Sequence, residues 1–220
     1  MESNKKDDSW FQPWTRKTVG WAFLAFFLIG GITGLFTWFF DIHMTGIGYI
    51  FVYFTIIFYT LIVYFFAFWL KVNWMGLFTF GLNGIIGIPI EWWQEYLVAG
   101  TLKGVWGAFA WGGIYILYGL ALDLSFYLSR PGRNELQASM ISSLIFSVFF
   151  FAISILPLST FYNEGLTDVS GFDTYLTYWY FLIPFGIIEG VFGAILGMFF
   201  GQKLRLRKTT LEKPDREKEV

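Results

Sequence analysis

Two carboxylates stand inside apolar runs of this 220-residue chain. Glu189 follows Pro184 and Gly186 and precedes Gly190, and Asp123 comes about two helical turns before Arg130. An ionisable side chain inside a bilayer is costly unless it is paired, hydrated or bound, so each is a functional position by default. Each also has a plainer reading. Asp123 pairs with Arg130 or Arg133 near an interface, and Glu189 is hydrogen-bonded to a neighbouring helix.

A second constellation runs through Glu91, Trp92, Trp93, Gln94, Glu95 and Tyr96. Trp106 and Trp111 follow on the next apolar segment, and Tyr178, Trp179 and Tyr180 enter the last one. Aromatic faces stack on flat or cationic ligands, and carboxylates add charge and hydrogen bonds. Glu91, Trp92, Trp93, Glu95, Trp106, Trp111, Tyr178 and Glu189 therefore form the expected substrate-binding set. Tryptophan and tyrosine also collect at membrane interfaces. An aromatic belt accounts for the rings but not for Glu91 and Glu95 beside them.

Other chemistries lack their residues. With no cysteine and a single histidine, His43, there is no basis for disulfides, iron–sulfur clusters, thiolate metal sites or His-ligated haem. No G-x-S-x-G or HExxH motif is present, and no phosphate-binding glycine loop. The chain is expected to be neither an enzyme nor a carrier of a metal or cofactor. Its net charge of -1 gives no reason to expect a nucleic-acid partner.

The elements that must position these groups are membrane helices. The chain is 56% hydrophobic and 14% charged, against roughly 45–50% and 25% for soluble domains. The apolar excess falls in blocks of about 20 residues, the length that crosses a hydrocarbon core. The pattern predicts an all-α, six-helix transmembrane bundle, with helices near 18–40, 47–70, 75–91, 104–128, 136–158 and 176–200. Gly87 and Pro89 should bend or break the third near its end. Asp41, His43 and Gly46 read as a turn and 159–175 as a loop, and no cleavable leader is apparent. Three regions result: a tail at 1–17 lying at the headgroup level, a transmembrane domain at 18–201, and a charged tail at 202–220 that frays. Fourteen of the 15 lysines and arginines then fall on the side of both termini, leaving only Lys103 opposite. By the positive-inside rule both termini are cytoplasmic, in a multi-pass protein of the cell membrane.

Small residues recur at spacing four: Gly30 with Gly34, Gly186 with Gly190, and Gly193 with Gly197. Such pairs let helices approach closely. On the last helix they read as internal packing, and on the first they serve equally well to dock a partner membrane protein.

Several local runs resemble the substrate-capture (S) subunits of energy-coupling factor vitamin transporters, nearest to the thiamine-precursor type. They are Gly84 to Gly87, Gly104 to Gly107 with Trp106, Tyr118 to Phe126, and Glu189 to Gly197 ahead of a basic tail. The resemblance implies a small vitamin-type ligand bound near the external face. It also implies partnership, within the lipid bilayer, with a transmembrane coupling subunit and ATPase subunits. Family members meet the coupling subunit through alanines on helix 1. Here Ala22 and Ala25 stand three apart rather than four, so Gly30 and Gly34 would take that role. Two other readings stay open: a structural or assembly subunit of a larger membrane complex, and an intramembrane enzyme using Asp123 or Glu189.

Overall fold

The computed structural model describes residues 11–43, 55–99, 103–163 and 169–212; their regular elements are all helices, with one isolated bridge between Gln12 and Val72. Six helices follow in order: α1 (Arg16–His43), α2 (Ile56–Leu70), α3 (Met75–Ala99), α4 (Lys103–Ser129), α5 (Glu135–Asn163) and α6 (Val169–Glu212). In an apolar medium a helix satisfies its own backbone groups, which is why uncharged runs take this form. Among the described residues, three segments are long and apolar enough to cross a membrane: Gly112–Ser129, Glu135–Ala152 and Ile183–Arg205. Ile56–Leu70 and Met75–Pro89 are shorter apolar helices. The chain is thus an α-helical membrane protein.

Several boundaries differ from the sequence expectation. α1 continues through Asp41 to His43, so these residues are helical. α3 runs through Pro89 to Ala99, so the Glu91–Tyr96 cluster sits on a helix. The loop expected at 159–175 shrinks, because α5 reaches Asn163 and α6 begins at Val169. The basic segment after Gly201 stays helical to Glu212 instead of fraying there. An established helix extends without a new nucleation cost, and Lys, Arg and Leu are good helix formers. The first part of the expected second helix, 47–54, lies outside the described residues.

Glycines set the packing. α2 and α6 run parallel in four-residue register. A Cβ on Gly193 would strike the Ile57 carbonyl, one on Gly197 the Leu61 carbonyl, and one on Gly201 the Phe65 carbonyl at 2.5 Å. α3 and α4 run antiparallel and equally close. A Cβ on Gly119 would lie 2.6 Å from the Gly76 carbonyl oxygen, and one on Gly112 would lie 2.9 Å from that of Gly84. These are two backbone-to-backbone pairs. α5 lies between α4 and α6, and α1 lies against α2 and α3, which closes a ring of six helices.

α5 docks through serines. Ser139, Ser142, Ser143 and Ser147 are all fully buried. Each hydroxyl is satisfied within its own helix, Ser147 donating to the Ser143 carbonyl at 2.7 Å and Ser142 to that of Ser139 at 3.1 Å. The Tyr64 hydroxyl also bonds Ser142, which ties α2 to α5. Mid-bundle, rings from four helices fill the interior. Tyr59 meets Phe80 at 5.1 Å, and Tyr118 stacks on Phe150 at 4.6 Å. Offset and edge-on contacts of this kind add to area burial.

Candidate functional site

The bundle end that gathers residues 11–15, 71–75, 130–135 and 202 is a set of capping devices. Thr15 and Thr18 exchange side-chain and backbone hydrogen bonds at the start of α1, at 2.8 and 3.2 Å. Asn134 and Gln137 form a capping box on α5, the Gln137 amide donating to Asn134 Oδ1 at 2.8 Å. Gln202 of α6 bonds Glu135 of α5. α2 stops at Lys71, whose φ of 54° places it in the left-handed region, and the Val72 amide reaches back to the Ala67 carbonyl at 3.2 Å.

Asp123 belongs to this end. Its carboxylate accepts the Gly76 amide at 3.0 Å and the Leu77 amide at 2.5 Å, the otherwise orphaned donors of α3's first turn. A carboxylate from α4 therefore caps α3 across the helix pair, where a local N-cap residue would normally serve. The negative charge also faces the positive end of the α3 dipole. The Gly76–Gly119 approach makes this possible, since side chains there would hold the two helices too far apart. The plain reading paired Asp123 with Arg130 or Arg133, and its direct partners are instead these two amides. Arg130 lies just beyond the Gly112–Ser129 span, bonded to Asn73 Oδ1 and stacked 4.3 Å above the Phe11 ring and 4.9 Å from Phe126. Burial pulls its guanidinium below an ordinary arginine, and the Asp123 charge opposes that shift. Arg133 donates to the Ser129 carbonyl at 3.1 Å.

A cavity of about 90 Å³ opens at this end. Its walls include Phe11, Tyr64, Phe68, Asp123, Phe126 and Arg130. Sequence reasoning missed this place, because Phe11 sits in a tail that reads as interfacial and yet is buried.

Glu189 is the other carboxylate. It is half-buried on α6, six residues (189 − 183) inside the Ile183 edge of the apolar span, or about 9 Å along the helix. Its neighbours on α6 are the packing glycines. Gly186 faces Phe151, Gly190 faces the Ser147 hydroxyl, and Gly193 faces Ile57 and Thr60. The Thr60 and Ser147 hydroxyls already donate to carbonyls of their own helices. Glu189 Oε2 is buried and has no hydrogen-bond partner among the described residues.

The remaining expected site residues are placed by backbone alone. Glu91, Trp92, Trp93 and Glu95 lie on the last third of α3, Trp106 and Trp111 on the first third of α4, and Tyr178 on α6. Their side chains lie outside the described residues. The short connection between α3 and α4 puts the first two groups at the same end of that pair. Gly30 of α1 lies against Asn83 of α3, whose amide donates to the Phe26 carbonyl at 3.2 Å. Gly34 is helical, with surroundings outside the described residues. Ala22 and Ala25 are fully buried within the chain itself. Among the described residues, no group of three His, Asp or Glu stands close enough to hold a metal ion.

Fold and site together define a class: a helical membrane protein of glycine-packed pairs, with one carboxylate spent on a helix cap and another whose Oε2 has no hydrogen-bond partner among the described residues. Compared with family models, curated proteins and solved structures, the chain matches none.

Proposed function

We propose that this chain is the membrane-embedded substrate-binding subunit of a vitamin importer, capturing a small, flat, thiamine-like ligand near the external face. In this reading it crosses the bilayer six times with both termini in the cytoplasm. It works with a transmembrane coupling subunit and ATPase subunits that supply the energy, and it is not itself an enzyme. The observation that carries the reading is Glu189 Oε2, buried in an apolar helix with no hydrogen-bond partner among the described residues. An unpartnered acceptor at such a depth is costly, and a cationic or N–H-bearing ring placed against it would remove that cost.

Three further facts support it. α3, α4 and α6 carry Glu91–Glu95, Trp106, Trp111 and Tyr178 on the helix portions remote from the Asp123 cap. The opposite end gathers Arg16, Lys17, Lys71, Arg130 and Arg133 at or beside helix ends, with Lys203 and Arg205 on α6 just past Gly201, the distribution of a cytoplasmic face. Asp123 is engaged in capping, which leaves Glu189, among the carboxylates whose side chains are described, as the one within an apolar span open to a ligand.

Thermal unfolding of the purified protein with thiamine, its pyrimidine precursors and unrelated vitamins tests the proposal. A ligand at a hundred times its Kd stabilises the folded state by about 2.7 kcal/mol, so the midpoint should rise for the cognate ring alone. A flat response across the panel, with calorimetry showing no heat of binding, removes the reading.

A further inference from the structure

The two glycine-packed pairs, α2 with α6 and α3 with α4, are each rigid because backbone meets backbone. Between them α2 and α3 touch only along a short stretch. The connector from α2 to α3 is strained, with Lys71 at φ 54° and Trp74 at φ 61°, both left-handed and neither glycine. α1 and α5 bridge the two pairs along their lengths, and at the Asp123 end a short non-helical segment also crosses the seam. Phe11 packs on Phe68 of α2 at 5.9 Å and on Phe126 of α4 at 5.7 Å. The Gln12 amide donates to the Lys71 carbonyl at 2.6 Å. Trp14 Nε1 donates to the Asn73 carbonyl at 3.0 Å, and its ring stacks on Phe78 of α3 at 5.1 Å. Phe11 also forms part of the wall of the cavity that holds Asp123 and Arg130.

We infer that residues 11–14 are a releasable clip across the seam between the two helix pairs, closing the inner cavity when seated and opening it when lifted. The clip bonds to the strained connector itself, so it sits where a hinge between the pairs would act. Its hold is light compared with the pairs it joins. It is held by the Gln12 amide and a short backbone bridge to Val72, by one indole bond, and by two rings, one of them under the Arg130 guanidinium, whereas each pair is locked along several turns. Elements held so lightly open locally, without global unfolding. Lifting the clip removes the Phe11 face from Arg130 and lets water reach the Asp123 cap that fixes the start of α3. The inference concerns the end opposite the proposed ligand cluster and does not depend on which ligand binds there.

The absence of cysteine gives a clean test. Ala67 lines the cavity and is buried, so Ala67→Cys introduces one shielded thiol. In the full chain in lipid nanodiscs, a membrane-impermeant maleimide should modify it slowly, and Phe11→Ala should raise that rate by about tenfold or more. Equal rates with and without Phe11 would overturn the clip. Hydrogen exchange on the unmodified protein decides the case even if Phe11→Ala does not fold. The Gln12 amide should exchange about a hundredfold faster than the α2 amides between Tyr59 and Phe66. Exchange at the same rate as those amides would mean that the segment is ordinary core, and the inference fails.

Discussion

Replacing Asp123 separates the cap from every other role proposed for that carboxylate. Asp123→Ala leaves the largely buried Gly76 and Leu77 amides without their carboxylate acceptor. A buried donor left unsatisfied costs about 1–3 kcal/mol, and hydrogen bonds to a charged acceptor stand at the upper part of that range. Some relaxation at the helix end offsets part of this, as cap deletions of about 0.5–2 kcal/mol show. The expected loss is therefore about 2–4 kcal/mol for two amides served by one carboxylate. Asp123→Asn keeps one acceptor oxygen and should lose about half as much. Reversible unfolding in mixed micelles, followed by tryptophan fluorescence, reads the difference. The companion measurement is a double-mutant cycle with Arg130→Met. Capping predicts a coupling well below the single-mutant loss, because Asp123 bonds amides and Arg130 bonds Asn73 and stacks on rings, so the two share a charge–charge interaction and no hydrogen bond. Unchanged stability in Asp123→Ala, or a coupling as large as the single-mutant loss, would refute the reasoning.

Other consequences are equally direct. Gly197→Ala places a methyl against the Leu61 carbonyl and the Phe65 amide, and should destabilise by about 1–3 kcal/mol or prevent folding. Gly31→Ala, with nothing within 4 Å, should be neutral or stabilise by about 0.5–1 kcal/mol in the same unfolding assay. Tyr64→Phe removes the hydroxyl that bonds Ser142 and should cost about 1 kcal/mol. Single cysteines at Lys103 and Arg133 should label from opposite sides of sealed vesicles, and labelling from one side would contradict the six-span orientation.

The apolar blocks in the sequence located the helices, and the glycines four apart marked the packed faces of α6, Gly193 and Gly197 against α2 and Gly186 and Gly190 against α5. What stayed hidden was long-range and polar. Asp123 binds backbone amides 46 and 47 residues away, and backbone donors carry no side-chain signature. Phe11 sits in a tail whose tryptophans and basic residues read as interfacial, and only the gap between α2 and α4 gives it a place to bury. The α5 serines look polar in sequence, but each returns its hydroxyl to its own helix and presents a small, packable face. Pro89 reads as a bend or break near the helix end, and α3 continues through it to Ala99, as membrane helices tolerate. The Glu91–Tyr96 cluster was legible as a group, and its backbone setting is now a helix.

Native mass spectrometry of the protein purified from thiamine-fed cells tests the central claim most directly. The account predicts one small aromatic molecule bound per chain, retained through purification and lost in Glu189→Gln. A bare mass for the unmodified protein, unchanged by saturating thiamine or its pyrimidine precursors, would contradict it.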